Sequence, residues 1–280
     1  MQRKKIWLIG GDDRQAVLAG LLADDGHKVH VYGMEERLCC EPSLDGIEQA
    51  DCVILPLPAV RVDGMIHTPR SKLSLAAGDV LVRLDPKQTV LAGKASTWLK
   101  AMAEHWGLTL QDYFEREELA LLNAIPTAEG AIRVAMETLP VTLHGARVLI
   151  VGFGRLGQAL GPRLHSLGSY VSVAARREAQ RALATVMGLH SERLEGMKEW
   201  IHSYDLIINT VPTMVLGVEE LAAMKERAVV IDLASLPGGV DDESAAALNV
   251  NVIHALGLPG KEAPLTAARY LRDTVYHMLE

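Results

Sequence analysis

The segment Val151–Gln158, "VGFGRLGQ", holds Gly152, Gly154 and Gly157 in the spacing G-x-G-x-x-G. Placed after an apolar run and before a helical pattern, these glycines permit a tight turn, close approach of a pyrophosphate and close packing of helix on strand. The helix that follows would present free N–H groups and the positive end of its dipole to the phosphates. With Phe153, Arg155 and Leu156 completing the turn, the chemistry expected here is dinucleotide binding; a strand–helix turn without a ligand is the plain alternative. The next apolar run ends in "VSVAARR", with Ala175, Arg176 and Arg177 and no carboxylate before Glu178. An acid at that place, about 20 residues beyond the glycines, would bind a ribose 2′-hydroxyl and repel a 2′-phosphate. A guanidinium instead binds a 2′-phosphate through paired hydrogen bonds. The pattern therefore predicts NADP, with NAD the second choice, and the plain alternative is that both arginines are simply solvated.

Two later segments belong to the same expected domain. "NTVP" carries Thr210, Val211 and Pro212 past the ribose side of the cofactor, and "DLASLPGGVD" carries Asp232, Ser235, Gly238 and Gly239 to the nicotinamide. Both follow strands, and in doubly wound folds the carboxyl ends of the strands line the ligand crevice. Turn chemistry alone also accounts for Pro237-Gly238-Gly239.

A looser version of the opening stands near the start, in "IWLIGGDDRQAVLAGLLADDGHKVHVYG", residues Ile6–Gly33. Where a nucleotide fingerprint wants its second and third glycines, the chain has Asp12 and Gln15. A pyrophosphate would meet a like charge and added bulk there. Arg14 at a helix N-terminus suits a carboxylate instead. We therefore expect a substrate-facing anion site, with Arg14 and Gln15 on one side of a cleft and NADP on the other. Further candidates for holding an anionic substrate are Thr127, Ser235, Lys261 and the N–H groups of Gly238 and Gly239. Proton acceptors would be Glu129, Asp232 or His254. Each has a plainer role: Thr127 and Glu129 as the start of a helix, Asp232 as an acceptor for loop amides, His254 as a strand residue. No His, Asp and Glu cluster has metal-ligand spacing.

Elements must position these groups. Apolar runs alternate with amphipathic stretches, the pattern of a parallel α/β sheet. Strands are expected at Ile6–Ile9, Lys28–Tyr32, Cys52–Pro56, Thr89–Ala92 and Leu108–Gln111, with helices near Arg14–Asp24, Thr97–His105 and Arg116–Asn123. Leu57–Asp85 has no clear period and reads as loop. Pro126 and Thr127 mark a helix start, with Thr127 as N-cap and Pro140 as stop. Further strands are expected at Arg147–Val151, Tyr170–Ala174, Asp205–Asn209, Ala228–Asp232 and Val250–His254, with a weaker one near Leu189. The fold class is α/β: two Rossmann-like, doubly wound parallel-sheet domains with a cleft between them. The first spans residues 1–125, the second, NADP-binding, 126–262, and a helix over 263–280 packs back on the first.

Composition narrows the function classes. The 280 residues are 49% hydrophobic, enough for two medium cores, and the net charge of −7 argues against nucleic acid. Three cysteines, Cys39, Cys40 and Cys52, without C-x-x-C spacing, argue against zinc or disulfide frameworks and fit a reducing cytoplasm; adjacent Cys39 and Cys40 read as packing residues before redox ones. No apolar stretch approaches the ~20 residues needed to span a bilayer, and the N-terminal apolar run is too short for a signal peptide. A soluble cytoplasmic protein is expected.

Several segments together resemble one family, the dipicolinate synthase A subunit of spore-forming bacteria. They are "GGDDRQ", "ILPLP", "NAIPTAEGAI", "VGFGRLGQ", "NTVP", "DLASLPGG" and "GLPGKEAPLTA", in order along both expected domains. The resemblance implies an NADP-dependent, two-electron oxidation of dihydrodipicolinate, or of its hydroxy-tetrahydro precursor from the lysine pathway. The product would be pyridine-2,6-dicarboxylate, made in the cytoplasm of the mother cell during sporulation. It implies a small dicarboxylate as substrate and, as partner, a flavoprotein-like B subunit; a homo-oligomer is compatible with it. It also implies a lysine just after "AP", where Leu265 stands here and Lys261 lies four residues earlier. Two other readings share the pattern: a non-catalytic nucleotide-binding partner of a flavoprotein, and a 2-hydroxy-acid dehydrogenase-like enzyme.

Overall fold

Short apolar runs become parallel strands, and amphipathic runs between them become the crossover helices that parallel pairing demands. The computed structural model describes residues 2–235 and 237–280. The chain forms two compact units, Met1–Asn123 with Pro259–Glu280, and Ala124–Leu258.

The first unit contains β1 (Lys5–Ile9), α1 (Asp13–Asp24), β2 (Lys28–Tyr32), β3 (Cys52–Ile54), α2 (Ala77–Leu81), β4 (Thr89–Ala92), α3 (Thr97–His105) and β5 (Thr109–Asp112). Its strands pair in parallel in the order β2-β1-β3-β4-β5. That is the flavodoxin-like order, in which the chain reverses direction across the sheet between β1 and β3. Alternation along β1 sends Trp7 and Ile9 to one face with Val53, Leu81 and Leu99. Ile6 and Leu8 go to the other face, with Leu18, Leu22 and Ile54. The second face is closed by a long C-terminal helix (Pro264–Leu279), through Ala268, Leu271 and Val275.

The helix α4 (Glu117–Thr138) leads into the second unit: β6 (Arg147–Val151), α5 (Arg155–Ser166), β7 (Tyr170–Ala175), α6 (Glu178–Val186), β8 (His190–Arg193), β9 (Leu206–Asn209), α7 (Val218–Ala222), β10 (Val229–Asp232), α8 (Asp242–Ala247) and β11 (Asn251–His254). A short α9 (Leu258–Glu262) and α10, the C-terminal helix already described, complete the chain. The six strands are parallel, ordered β11-β10-β9-β6-β7-β8. This is the doubly wound dinucleotide-binding order, with its reversal between β6 and β9. Residues such as Ile150, Val173 and Ile208 fill one face and Leu149, Val151 and Ile207 the other.

Two expectations about elements change. The helix predicted to begin at Pro126 with Thr127 as its N-cap is the middle of α4, which starts at Glu117 and runs through Pro126. The proline lacks the N–H that would bond the carbonyl of Leu122, so one intrahelical bond is missing there. The segment predicted as loop over 57–85 contains α2 and two antiparallel bridges, Val60 with Ile66 and Met65 with Ala76. Among the described residues no helix is long and apolar enough to cross a membrane.

Candidate functional site

Gly152 follows β6 with φ of +91°, the left-handed region that glycine enters without cost. A side chain there would also strike Thr210 and Val211. At Gly157 a Cβ would lie 2.4 Å from the Gly152 carbonyl oxygen, so only glycine lets α5 start this close to the strand. Gly154, the N-cap of α5, has open space where its Cβ would project and no side-chain cap. No side chain caps the start of α5, and a helix N-terminus after a glycine turn of this shape suits a diphosphate. Behind it, Phe153 is buried and its carbonyl accepts from the amides of Gln158 and Gln180. Arg155 and Leu156 open the helix, Arg155 exposed and Leu156 packed on the core. Thr210 donates its hydroxyl to the carbonyl of Val151, and Val211 and Pro212 continue beside the glycines.

At the end of β7, Ala175 is buried while Arg176 and Arg177 are exposed. Arg181, which no sequence pattern singles out, donates to the carbonyls of Ala175 and Arg176 and so fixes this corner. Strand pairing sets Arg193 of β8 directly opposite Ala175. Arg193 is exposed too, which gathers three accessible guanidinium groups at one corner. Only sheet register could reveal that third arginine.

Asp232 ends β10 and is fully buried. Its carboxylate accepts from the Asn209 amide at 2.8 Å, from the Ala234 N–H at 3.0 Å and from the Gly239 N–H at 3.2 Å. Asn209 in turn braces Val211 through both its amide groups. Asp232 is thus the tie between two strand-end loops, holding three donors. The predicted use of the Gly238 and Gly239 N–H groups for an anion is corrected for the same reason. Gly238 donates to the Ser235 carbonyl and Gly239 to Asp232. Ser235 itself is exposed, and Leu236 beside it lies outside the described residues. His254, opposite Asp232 in register, holds Asp242 at 2.7 Å and lies 3.7 Å from the Asp232 carboxylate.

In the first unit, "GGDDRQ" lies at the carboxyl end of β1, at the point where strand order reverses. The Asp12 side chain caps α1 by accepting the Arg14 N–H, and its two oxygens also accept Nε and Nη2 of Arg14. Nη2 reaches the Leu57 carbonyl as well. The expectation of an open helix terminus is therefore corrected: the anion at this terminus is Asp12. The Arg14 guanidinium is clamped in a buried position, and its Nη1 has no hydrogen-bond partner among the described residues. Gln15 is buried, with its amide nitrogen on the Leu55 carbonyl. It packs where a Cβ on Gly11 would project, so its role is to support the turn. Asp13 holds Arg37 at 2.7 Å and Arg70 at 2.8 Å. Burial works against its charge, but those two guanidinium groups outweigh it and keep the carboxyl below the usual range. His67, in the segment predicted as loop, has its carbonyl on the Gly11 N–H, and no spacing in the sequence announces it.

The remaining candidates lie apart. Thr127 is half-buried within α4. Glu129 is exposed and 4.0 Å from Arg163, two turns along α5 from its first residue and so about 12 Å from the glycine turn. These two side chains border a shallow depression of about 390 Å³ with Ile132, Pro162, Ser166 and Leu167. Lys261 is exposed on α9, one residue after Gly260, whose Cα packs against the Asp12 carboxylate. Leu265 is exposed on α10. Cys39 is exposed, whereas burial pushes the Cys40 thiol up and the Cys52 thiol up to about 12, so neither of these two favours thiolate chemistry.

Known proteins resemble both units of the chain. Residues 5–114 match the family of the N-terminal domain of the dipicolinate synthase A subunit. Residues 123–267 match "D-isomer specific 2-hydroxyacid dehydrogenase, NAD binding domain". The dipicolinate synthase A subunit of Bacillus subtilis is 32% identical over 98% of this chain and 95% of its own. The chain belongs to the family of the dipicolinate synthase A subunit. Two solved structures from that family share the fold. The one from Bacillus halodurans has a TM-score of 0.89 at 30% identity, covering 99% of this chain and 97% of its own. The one from Bacillus subtilis has a TM-score of 0.87 at 31% identity, covering 100% and 96%. In this member of the dipicolinate synthase family, the second unit is a nicotinamide-dinucleotide-binding dehydrogenase domain.

Proposed function

We propose that this protein oxidises dihydrodipicolinate, or its 4-hydroxy-tetrahydro precursor, to pyridine-2,6-dicarboxylate with NADP. It would act as the A subunit of dipicolinate synthase with a flavoprotein-like B subunit, in the cytoplasm of a sporulating mother cell and on a branch of the lysine pathway. The observation that carries the reading is full-length likeness to the dipicolinate synthase A subunit together with an intact glycine turn. The main chain at Gly152, Gly154 and Gly157 would hold the diphosphate, with Thr210, Val211 and Pro212 beside it. Arg176 and Arg177, with Arg193 across the sheet, would hold the 2′-phosphate, and no carboxylate precedes Glu178 at the end of β7. When bound, the nicotinamide accepts a hydride. Aromatisation of the ring supplies driving force, so the protein's task is to place the ring and to manage charge and protons.

The substrate is a dianion and needs cations. Arg14 answers that need, because Asp12 and Leu57 fix its orientation and leave Nη1 for a carboxylate. Lys261 and Ser235 are exposed donors suited to the same task. The test is reduction of NADP and of NAD with freshly generated dihydrodipicolinate, with and without the B subunit. Arg176→Ala should weaken NADP at least tenfold and leave NAD nearly unchanged. Arg14→Lys should raise KM for the dicarboxylate and spare NADP affinity. Binding of NADP without any turnover, in the presence or absence of the partner, would leave only a non-catalytic role. Turnover of simple 2-hydroxy acids would move the protein towards the dehydrogenases its second unit resembles.

A further inference from the structure

The segments at the carboxyl ends of β1, β3 and β4 are laced together by three main-chain bonds. Gly11 N–H donates to the His67 carbonyl at 2.9 Å, His67 N–H to that of Ala59 at 3.2 Å, and Ala59 N–H to that of Gly93 at 2.7 Å. A Cβ on Gly10 would lie 2.9 Å from the His67 carbonyl oxygen. His67 is therefore pinned against the turn that carries Asp12 and Arg14, at the strand-order reversal where α/β sheets place their ligands. Its imidazole is half-buried, and neither ring nitrogen has a hydrogen-bond partner among the described residues. The other histidines withdrawn from solvent each have one ring nitrogen engaged: His27 accepts from the Lys4 N–H, and His30 pairs with Glu41 through Nδ1 while its Nε2 is buried without a partner among the described residues. The main chain of His67 is thus fixed, and its ring nitrogens, engaged by no described residue, stay available near the clamped Arg14 guanidinium.

We infer that His67 takes up the proton released when the dihydropyridine ring is oxidised, with the Asp12–Arg14 pair holding the anionic end of the substrate. This rests on the oxidation proposed above. One ring C–H bond breaks with its electron pair leaving as hydride to the nicotinamide. A second, on the neighbouring carbon, breaks with its pair entering the ring, and that proton bonds to an imidazole nitrogen. Two electrons and two protons' worth of hydrogen leave the substrate as one hydride and one proton, and the ring becomes aromatic. The charged groups facing His67 are Asp12, Arg14 and Arg61. Burial holds the imidazole below its ordinary value; Asp12 opposes this and the two arginines assist it. The neutral, proton-accepting form therefore prevails at pH 7, as a general base requires.

The experiment measures kcat/KM against pH for the wild type, His67→Ala and His67→Gln, with freshly made dihydrodipicolinate and NADP. The wild type should gain activity with rising pH through an acid limb below pH 6.5. His67→Ala should lose about 100-fold or more in kcat and lose that limb. NADP affinity and pyridine-2,6-dicarboxylate affinity should stay within about threefold, and added imidazole should restore part of the rate. Variants that keep kcat within about threefold and keep the acid limb overturn the inference. So does a joint loss of folding and cofactor binding in both variants, which would make His67 structural. A wild type that never reduces NADP or NAD with this substrate defeats the proposed oxidation itself, whereas an active wild type with active variants defeats the histidine alone.

Discussion

Gly157 shows how one atom can decide a site. The 2.4 Å between its missing Cβ and the Gly152 carbonyl leaves no neighbour that could yield, since the obstacle is backbone. Gly157→Ala should therefore lose NADP binding and cost about 1–3 kcal/mol of stability, checked by fluorescence titration and denaturant melts. Charge at His27 makes a second prediction. Burial, aided by Lys4, holds this imidazole below its ordinary 6.5 despite Asp25, and its Nδ1 accepts the Lys4 N–H. The unfolded chain thus takes up the proton first as pH falls. The contribution to stability is complete above pH 6.5 and is lost as pH drops towards the folded value. Unfolding free energy should fall from pH 7 to pH 5, and His27→Gln, which keeps an acceptor and cannot titrate, should flatten that slope. Asp13 contributes in a lower window. Its carboxyl is held below the usual 3.8, so its share of stability is lost only as pH falls through that folded value.

Among the elements, α10 carries the clearest obligation. Its apolar stripe, Ala268, Leu271 and Val275, covers the sheet face formed by Ile6, Leu8 and Ile54 and packs with Leu18 and Leu22 of α1. The sequence places Leu265, Ala268, Leu271, Val275 and Leu279 at helical spacing, and of these Leu265 is exposed. Leu271→Ala should cost about 2–5 kcal/mol in equilibrium unfolding, because a cavity opens between helix and sheet. α4 teaches the opposite lesson. A proline and a threonine signalled a helix start, but burial of Ala124, Ala128, Ala131 and Ala135 along one stripe outweighs the single lost bond at Pro126. Local signals name the cost of continuing a helix and say nothing of the packing that covers it.

Across the whole molecule the two units differ in how the chain builds them. The second is one continuous stretch, Ala124–Leu258, with cores on both sheet faces. The first is assembled from Met1–Asn123 and Pro259–Glu280. Residues 124–258 expressed alone should fold cooperatively and bind NADP without turnover. Residues 1–123 alone should not, since the apolar face of β1 and α1 would lack α10. Circular dichroism, calorimetry and NADP titration check both outcomes, and a well-folded 1–123 fragment would overturn the dependence on α10.

The sequence by itself determined the strand–glycine–helix openings, ten of the strands to within two residues at either end, and the pairing of a nucleotide turn with an arginine-bearing strand end. Those features are local: hydrophobic period, glycine spacing and the sign of nearby charge act over a few residues. Tertiary structure alone decided which polar groups are already occupied. Asp12 takes Arg14, Asp232 takes the Gly239 N–H, and Arg193 stands opposite Ala175, each through partners set by turn geometry and sheet register. It also decided that His67, hidden in an aperiodic stretch, would lie against Gly10 and Gly11 with its imidazole unbonded. Long-range pairing leaves no period in the sequence, because each contact joins two segments whose own patterns are silent about the other.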